Sequence, residues 1–403
     1  MSVKSSVLLR RTILFLIIFQ SIGLRLFQGI GICLLIAIFV LCLPKAKFMK
    51  AIKPFMIIEI VYLALAIIKD VDYKDIIINS AAIFDACLFI TMYRDYRVML
   101  DDLYNVLKIY CVQAIISIPV YFIIPSSAYI MLDPSFIPIT PRTFGYIFYY
   151  PIEESALGFP RISGWCWEPG TFQLVANMFL LLKIIRKDSI KSMTWVVVLI
   201  LATFSTLAYV CLLLNIVVAI WNGKRKALMT FIVVVSLPLA FGIVMTNFSE
   251  KFAEDNTSGL IRKRDIYIGM QVMKDHPLIG YNVSDLEDTQ YGRNLEDIYW
   301  ATTVLINYTR DNKIYYAGGY TNGFFTALMT YGLVIGLFLF YCIYRAPLFE
   351  TKKSRLCVLV FWIMSLQSEA VSVSCSFFYL FVMLGLINIL QQRRNRKLSI
   401  IQK

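Results

Sequence analysis

The residues best suited to chemistry lie in one short run, Pro160-Arg161-Ile162-Ser163-Gly164-Trp165-Cys166-Trp167-Glu168-Pro169-Gly170. An arginine, a glutamate and two tryptophans stand there in a chain that is otherwise mostly apolar. Charged groups beside hydrocarbon are costly, and they mark places where something is handled. Pro160, Gly164, Pro169 and Gly170 favour a turn over a continuous helix between Arg161 and Glu168. Pro169 suits the first turn of a following helix, and Glu168 then stands at its N-terminus, where the dipole favours a carboxylate. The chemistry on offer is phosphate binding by Arg161 and orientation or deprotonation of a hydroxyl by Glu168. The plainer alternative is an Arg161–Glu168 ion pair that only caps the helix, with Trp165 and Trp167 as interfacial anchors.

Two later clusters offer related chemistry. Arg262, Lys263 and Arg264 are consecutive cations, and a guanidinium fork suits a pyrophosphate at any working pH. Attraction to anionic headgroups is the competing reading, and spacing does not say which arginine matters most. Gly318-Gly319-Tyr320-Thr321-Asn322-Gly323 follows, where Thr321 and Asn322 can hydrogen-bond sugar hydroxyls and the glycines permit close approach. A simple flexible helix start fits the same residues. Tyr320 also ends a stretch with Tyr291, Tyr299, Trp300, Tyr308 and Tyr315, whose flat faces suit sugars but also membrane interfaces. His276, the sole histidine, adjoins Pro277 and reads as structural.

The elements that must position these groups are membrane helices. The 403 residues are 59% hydrophobic and 16% charged, with mean hydropathy +0.70, so several runs are long enough to cross a bilayer. The net charge of +13 does not point to nucleic acid. Lysines and arginines gather beside apolar runs, as in Lys45/Lys47/Lys50/Lys53, Lys224/Arg225/Lys226 and Arg393/Arg394/Arg396/Lys397, which is the pattern of cytoplasmic loops. The nine cysteines lie mostly inside apolar runs without a CxxC pair, and read as small core residues. No small-residue cleavage site follows the basic start, so the first helix is expected to remain as an uncleaved anchor.

Thr12–Leu43, Met193–Trp221 and Leu356–Leu390 are each flanked by basic residues at both ends. Each therefore reads as a hairpin of two short helices, with tips near Arg25, Ser205-Thr206 and Ser368-Glu369. Single spans are expected at Pro54–Ile68, Asp75–Met92, Tyr104–Ile124, Thr171–Ile185, Ala227–Asn247 and Thr321–Tyr344. The fold class is thus all-α and polytopic, one integral membrane domain over 1–403 with about twelve spans and both termini cytoplasmic. Two long loops, 125–169 and 248–320, fall together on the outer side. The first is rich in proline and aromatics and reads as extended backbone. The second holds an expected surface helix near 260–274, with Ile266, Met270 and Met273 on one face.

No Walker-type phosphate loop, dinucleotide fingerprint or HExxH is present, and no DxD-like pair lies in the outer loops. A metal-dependent nucleotide-sugar enzyme is disfavoured, and no cofactor or metal is expected. A donor already activated by a lipid pyrophosphate needs only cations on its leaving group.

In these motifs and their order the chain resembles the Wzy-type O-antigen and capsule polymerases of the O-antigen ligase and polymerase superfamily. Arg161-Ile-Ser-Gly164-Trp-Cys-Trp-Glu168-Pro169-Gly170 is similar to that family's R-x-x-G-x-x-x-E-P motif. Ser258-Gly-Leu-Ile-Arg262-Lys-Arg264 followed by His276-Pro277-Leu-Ile-Gly280 is similar to its loop arginine and P-x-x-G. Thr321-Asn322-Gly323 with Tyr331-Gly332-Leu333-Val334-Ile335-Gly336 is similar to the block after its large loop. The likeness covers residues 155–345; ligases often carry a histidine where this chain has Thr321, which weakens a ligase reading.

The resemblance implies inverting glycosyl transfer at the outer face of a bacterial inner membrane, on undecaprenyl-pyrophosphate-linked oligosaccharides. Arg161, Glu168, Arg262 and Arg264 would be the catalytic set, with Trp165, Trp167, Lys263, Tyr320, Thr321 and Asn322 binding substrate. Membrane lipids, and a chain-length regulator and flippase of the same pathway, are the candidate partners. The rival reading is a transporter of lipid-linked oligosaccharides, for which Arg25, Glu59, Asp85 and Glu369 are the intramembrane charges.

Overall fold

The computed structural model describes residues 3–24, 29–132, 142–150, 161–222, 257–283, 322–367 and 375–401. Among them are twelve α-helices: α1 (Val3–Ile22), α2 (Ile30–Cys42), α3 (Phe48–Ile68), α4 (Tyr73–Thr91), α5 (Tyr96–Ile123), α6 (Pro169–Arg186), α7 (Ile190–Leu201), α8 (Thr206–Asn222), α9 (Thr257–Asp275), α10 (Gly323–Arg345), α11 (Lys352–Ser365) and α12 (Ser376–Ile401). Among the described residues four segments are long and apolar enough to cross a membrane: Ser5–Ile22, Phe48–Ile68, Tyr96–Ile123 and Gly323–Arg345. The chain is a helical, membrane-embedded protein. Within the three apolar stretches expected to fold as hairpins, α1 ends at Ile22 and α2 begins at Ile30, α7 ends at Leu201 and α8 begins at Thr206, and α11 ends at Ser365 and α12 begins at Ser376. The tips at Arg25 and Ser368-Glu369, and the span Ala227–Asn247, lie outside the described residues.

Contacts divide the chain into two compact units: Met1–Leu34 with Leu100–Glu250, and Leu35–Met99 with Lys251–Lys403. In the first unit α6 is buried along almost its whole length and packs on α7 and α8. Its polar residues are used between helices: Asn215 Nδ2 donates to Asn177 Oδ1 (3.0 Å), and Asn177 Nδ2 donates to the Ala208 carbonyl (3.2 Å). Away from water such bonds substitute for lost hydration and fix helix register. Arg10 and Arg11 both donate to the buried Asp102 carboxylate, each at 2.9 Å, which ties α1 to α5. Arg186 at the far end of α6 pairs with Asp101.

The loop expected as extended backbone forms a small antiparallel sheet, in the order β1 (Ile130–Met131), β2 (Arg142–Phe144) and β3 (Phe148–Tyr150). Thr143 is registered with both Ile130 and Tyr149. The β2–β3 turn runs through Gly145 and Tyr146, both at positive φ, which matches the twist of a hairpin.

In the second unit α10 is the hub, packed on α3, α9, α11 and α12. It is kinked at Gly332 (φ 73°, ψ 164°), and the freed carbonyls are taken up by other elements. Met329 O accepts from Tyr281 N (2.8 Å) and from Lys69 Nζ (3.3 Å), and Thr330 O accepts from the same ammonium. Leu333 N in turn donates to the Pro277 carbonyl (2.7 Å). Two glycines make this approach possible: a Cβ on Gly280 would lie 1.9 Å from Met329 O, and one on Gly332 would lie 1.9 Å from Leu278 O. Both have positive φ, so a side chain would be strained as well as crowded.

Helix α9 settles on α10 through Ile268 and Val272, which bury against Met329 and Phe325. The expected apolar face of this helix needs correction. Ile266 and Met270 are exposed and only Met273 joins the packed side. Two stripes share the helical period, and the partner selects the one carrying the smaller residues.

Gly332→Ala and Gly280→Ala are each expected to cost about 2 kcal/mol or more of stability. Gly31→Ala, where the added methyl meets open space, is expected to cost nothing. Melting temperatures of the detergent-purified proteins check this, and equal melting of all three variants would contradict the interlock.

Candidate functional site

Arg161, Trp165, Trp167 and Glu168 lie together at one end of the first unit, all half-buried. The run is a turn and not a helix. Cys166 N donates to Ser163 O (3.0 Å), and Gly164 has φ +55° with its Cα facing Gln113 and Ala114, where a Cβ would come within 3.0 Å of Gln113 Oε1. The turn is then sewn to the end of α1. Leu24 N donates to Trp165 O (3.1 Å) and Trp167 N to Ile22 O (3.2 Å), an antiparallel bridge of Gly23 with Cys166. A second tie reaches the α7–α8 break, where Ile162 N donates to Ala202 O (3.1 Å).

Each side chain has a definable role in this frame. The Trp165 ring meets Phe15 and Tyr110 edge-on, with centroids 5.4 and 5.6 Å away, and its Nε1 donates to Ile147 O (3.0 Å). It is therefore an anchor for the turn as well as an aromatic surface. Arg161 Nε donates to the Thr203 carbonyl at 3.4 Å, a long bond that holds the guanidinium at the α7–α8 break. Glu168 is the extended residue before α6, with Pro169 at the first helical position. Its N–H donates to Thr171 Oγ1 (3.4 Å), and that hydroxyl donates back to the Glu168 carbonyl (2.9 Å). The backbone of Glu168 is thus fixed by the cap while its carboxylate is placed at a helix N-terminus.

The sheet adds groups that sequence reasoning did not single out. Arg142 stands over the Tyr121 ring, 5.7 Å from its centroid, beside Tyr129 and Tyr150. Burial pushes the Tyr149 and Tyr150 hydroxyls above the ordinary tyrosine range, so both stay neutral donors. They donate to Tyr146 O (2.7 Å) and Ser117 O (2.6 Å). A cation flanked by three tyrosines leaves only a faint trace in the sequence, because Arg142 stands alone between prolines and aromatics.

This end of the unit is opposite the arginine–aspartate pairs. Glu168 precedes α6 and Arg186 closes it, a helix of roughly 27 Å at 1.5 Å per residue. That is close to the thickness of a hydrocarbon core.

The remaining candidates belong to the second unit. Arg262, Lys263 and Arg264 fall in the first two turns of α9, and Arg262 is half-buried. The side chains of Lys263 and Arg264 lie outside the described residues, as do Tyr320 and Thr321. Asn322 is buried and acts as the cap of α10, accepting from Phe325 N (3.1 Å) while its amide donates to Gln367 Oε1 (3.2 Å). Its side chain is committed to the helix start, the plainer of the two roles the sequence allowed. The His276 ring lies beside Tyr281 in the loop after α9, tilted by 39° with centroids 5.2 Å apart. Among the described residues no cluster of His, Cys, Asp and Glu is arranged to hold a metal.

No protein-family model matches the chain, and no curated protein matches it.

Trp165→Phe is expected to cost about 1 kcal/mol, since Ile147 O keeps its bond from Gln113 Nε2 (2.9 Å). Trp165→Ala also loses both ring contacts and is expected to cost about 3 kcal/mol. Thermal unfolding in detergent measures the difference; equal losses would show that the ring contacts carry no weight.

Proposed function

We propose that the chain joins lipid-pyrophosphate-linked oligosaccharide units into a polymer by inverting glycosyl transfer at the outer face of a bacterial inner membrane. The observation that carries this reading is the fixed turn that holds a half-buried arginine and a carboxylate at the helix ends remote from the paired arginines. In the reaction an acceptor sugar hydroxyl attacks C1 of the donor sugar. The bond from C1 to the pyrophosphate oxygen breaks, and the hydroxyl proton passes to Glu168. Arg161 receives the negative charge that develops on the leaving pyrophosphate, a role that the resemblance gives also to Arg262 or Arg264. Trp165, Trp167 and Tyr320 provide faces for the glycans, and Lys263 and Thr321 add polar contacts. Asn322 supports the site by fixing the start of α10. The product is polymer of the O-antigen or capsule kind, and a chain-length regulator and flippase of the same pathway would work beside it.

One observation favours a second reading, a transporter of lipid-linked oligosaccharides. Glu59 and Asp85 are buried on α3 and α4, and Glu59 Oε2 and Asp85 Oδ2 have no hydrogen-bond partner among the described residues. Buried carboxylates among membrane helices are a hallmark of ion-coupled carriers.

Cells lacking the protein are expected to keep single repeat units on their surface lipid in place of long polymer. Arg161→Ala, at unchanged protein level, is expected to lower polymer formation about a hundredfold. Gel analysis of labelled polysaccharide reads both. Repeat units trapped on the cytoplasmic side would support the transporter, and wild-type polymer from Arg161→Ala together with Arg264→Ala would end the catalytic assignment.

A further inference from the structure

Two basic clusters far apart in sequence share one cavity in the second unit. It has a volume of ≈ 1190 Å³ and is lined by Lys47, Lys50, Lys53, Arg94, Arg393 and Arg394 around an apolar floor that includes Pro54, Ile90 and Leu390. The lysines recur every third residue at the start of α3, so they follow one face of its first turns. Arg94 comes from the short connection between α4 and α5, and the other two arginines come from the last turns of α12. The wall is fixed where it matters: Lys47 N donates to the buried Thr91 Oγ1 (2.9 Å), which donates to Leu88 O (2.7 Å). Helices α3, α4 and α12 pack on one another behind it.

The charge balance is one-sided. No carboxylate lines the cavity, and none of its six cations forms an ion pair among the described residues. The nearby acids are engaged elsewhere. Asp95 accepts from Arg97 N (2.8 Å), and Glu350 pairs with Arg97 (2.8 Å). Like charges collected in this way repel unless an anion joins them. All six side chains are exposed at the rim, while Pro54, Thr91 and Tyr93 form a buried base. A polar, cationic mouth over an apolar floor, at the end of the membrane-spanning α3, matches an amphiphile with a phosphate head.

We propose that this cavity binds the headgroup of an anionic phospholipid, one bearing two phosphates, with its acyl chains along the apolar floor. Six cations exceed what a single phosphodiester neutralises, whereas a diphosphatidylglycerol head brings two negative charges within one linker. A free polyphosphate would satisfy the rim and leave the floor unused.

The test uses the full-length protein in detergent, read by native mass spectrometry and thermal melting. The probes are diphosphatidylglycerol, phosphatidylcholine and inorganic pyrophosphate. The wild type is expected to retain diphosphatidylglycerol and to melt higher with it, and to gain nothing from phosphatidylcholine. Lys50→Gln combined with Arg394→Gln changes only exposed side chains and is expected to weaken retention by about tenfold or more. Lys74→Gln, at the opposite end of α4, is expected to behave as wild type. Equal retention by the double variant would overturn the proposal. So would stabilisation by pyrophosphate without any from the lipid, which would assign the rim to a soluble anion.

Discussion

The first unit depends on one buried carboxylate. Asp102 is almost fully enclosed and accepts from Arg10 and Arg11, so removing the arginines leaves its charge stranded in a low dielectric. Breaking such a pair typically costs about 3–5 kcal/mol. The clamp sets the register of α1 against α5, and the rest follows along the two helices. Tyr110 reaches the Phe15 carbonyl (3.1 Å), Phe15 and Tyr110 receive the Trp165 ring, and Ile22–Leu24 arrive where Trp165–Trp167 can pair with them. The turn that carries Arg161 and Glu168 is held by a register set one helix length away.

The second unit solves a different problem. A kink inside an apolar helix exposes carbonyls that no water can reach, and each would cost several kcal/mol if left unpaired. Here Tyr281 N and Lys69 Nζ take up the carbonyls at Met329 and Thr330, and the Pro277 carbonyl takes up Leu333 N. The kink thus serves as a socket. It anchors the docking loop after α9, and so the helix that carries Arg262, to the hub of the unit. The two glycine-bearing motifs near residues 277–280 and 331–336 have a joint structural purpose, whatever else they do.

Much of this was legible in the sequence, and the reasons differ by element. Basic residues at both ends of an apolar stretch point to a break near Ser205-Thr206, where α7 and α8 part, because charge distribution reports the ends of helices irrespective of packing; the tips expected near Arg25 and Ser368-Glu369 lie outside the described residues. Proline and glycine around Arg161 pointed to a turn for an equally local reason. What escaped depends on partners. The buried stripe of α9 was misassigned because Ile266/Met270 and Ile268/Val272 have the same spacing, and only α10 tells them apart. The strand pairing of Arg142–Phe144 with Phe148–Tyr150 was hidden in a loop where proline and aromatics suggested only extended backbone. Asn322 offered both a cap and a ligand, and an amide at the first residue before a helix most often closes the helix.

Basic clusters beside the membrane helices are of two kinds. Arg10, Arg11 and Arg186 flank apolar stretches and Lys183 lies at the end of the expected span Thr171–Ile185, and each has an aspartate: Asp102 for Arg10 and Arg11, Asp101 for Arg186 and Asp188 for Lys183. Their charge is consumed in architecture, and it says little about ligands. Lys47, Lys50, Lys53, Arg94, Arg393 and Arg394 also stand beside membrane helices, with no carboxylate lining their cavity among the described residues. Orientation in the bilayer explains why cations stand at such a helix end; it does not explain why three separate segments bring them around one hollow. The amphiphile proposed above, opposite in charge and apolar in its tail, accounts for both the cations and the floor.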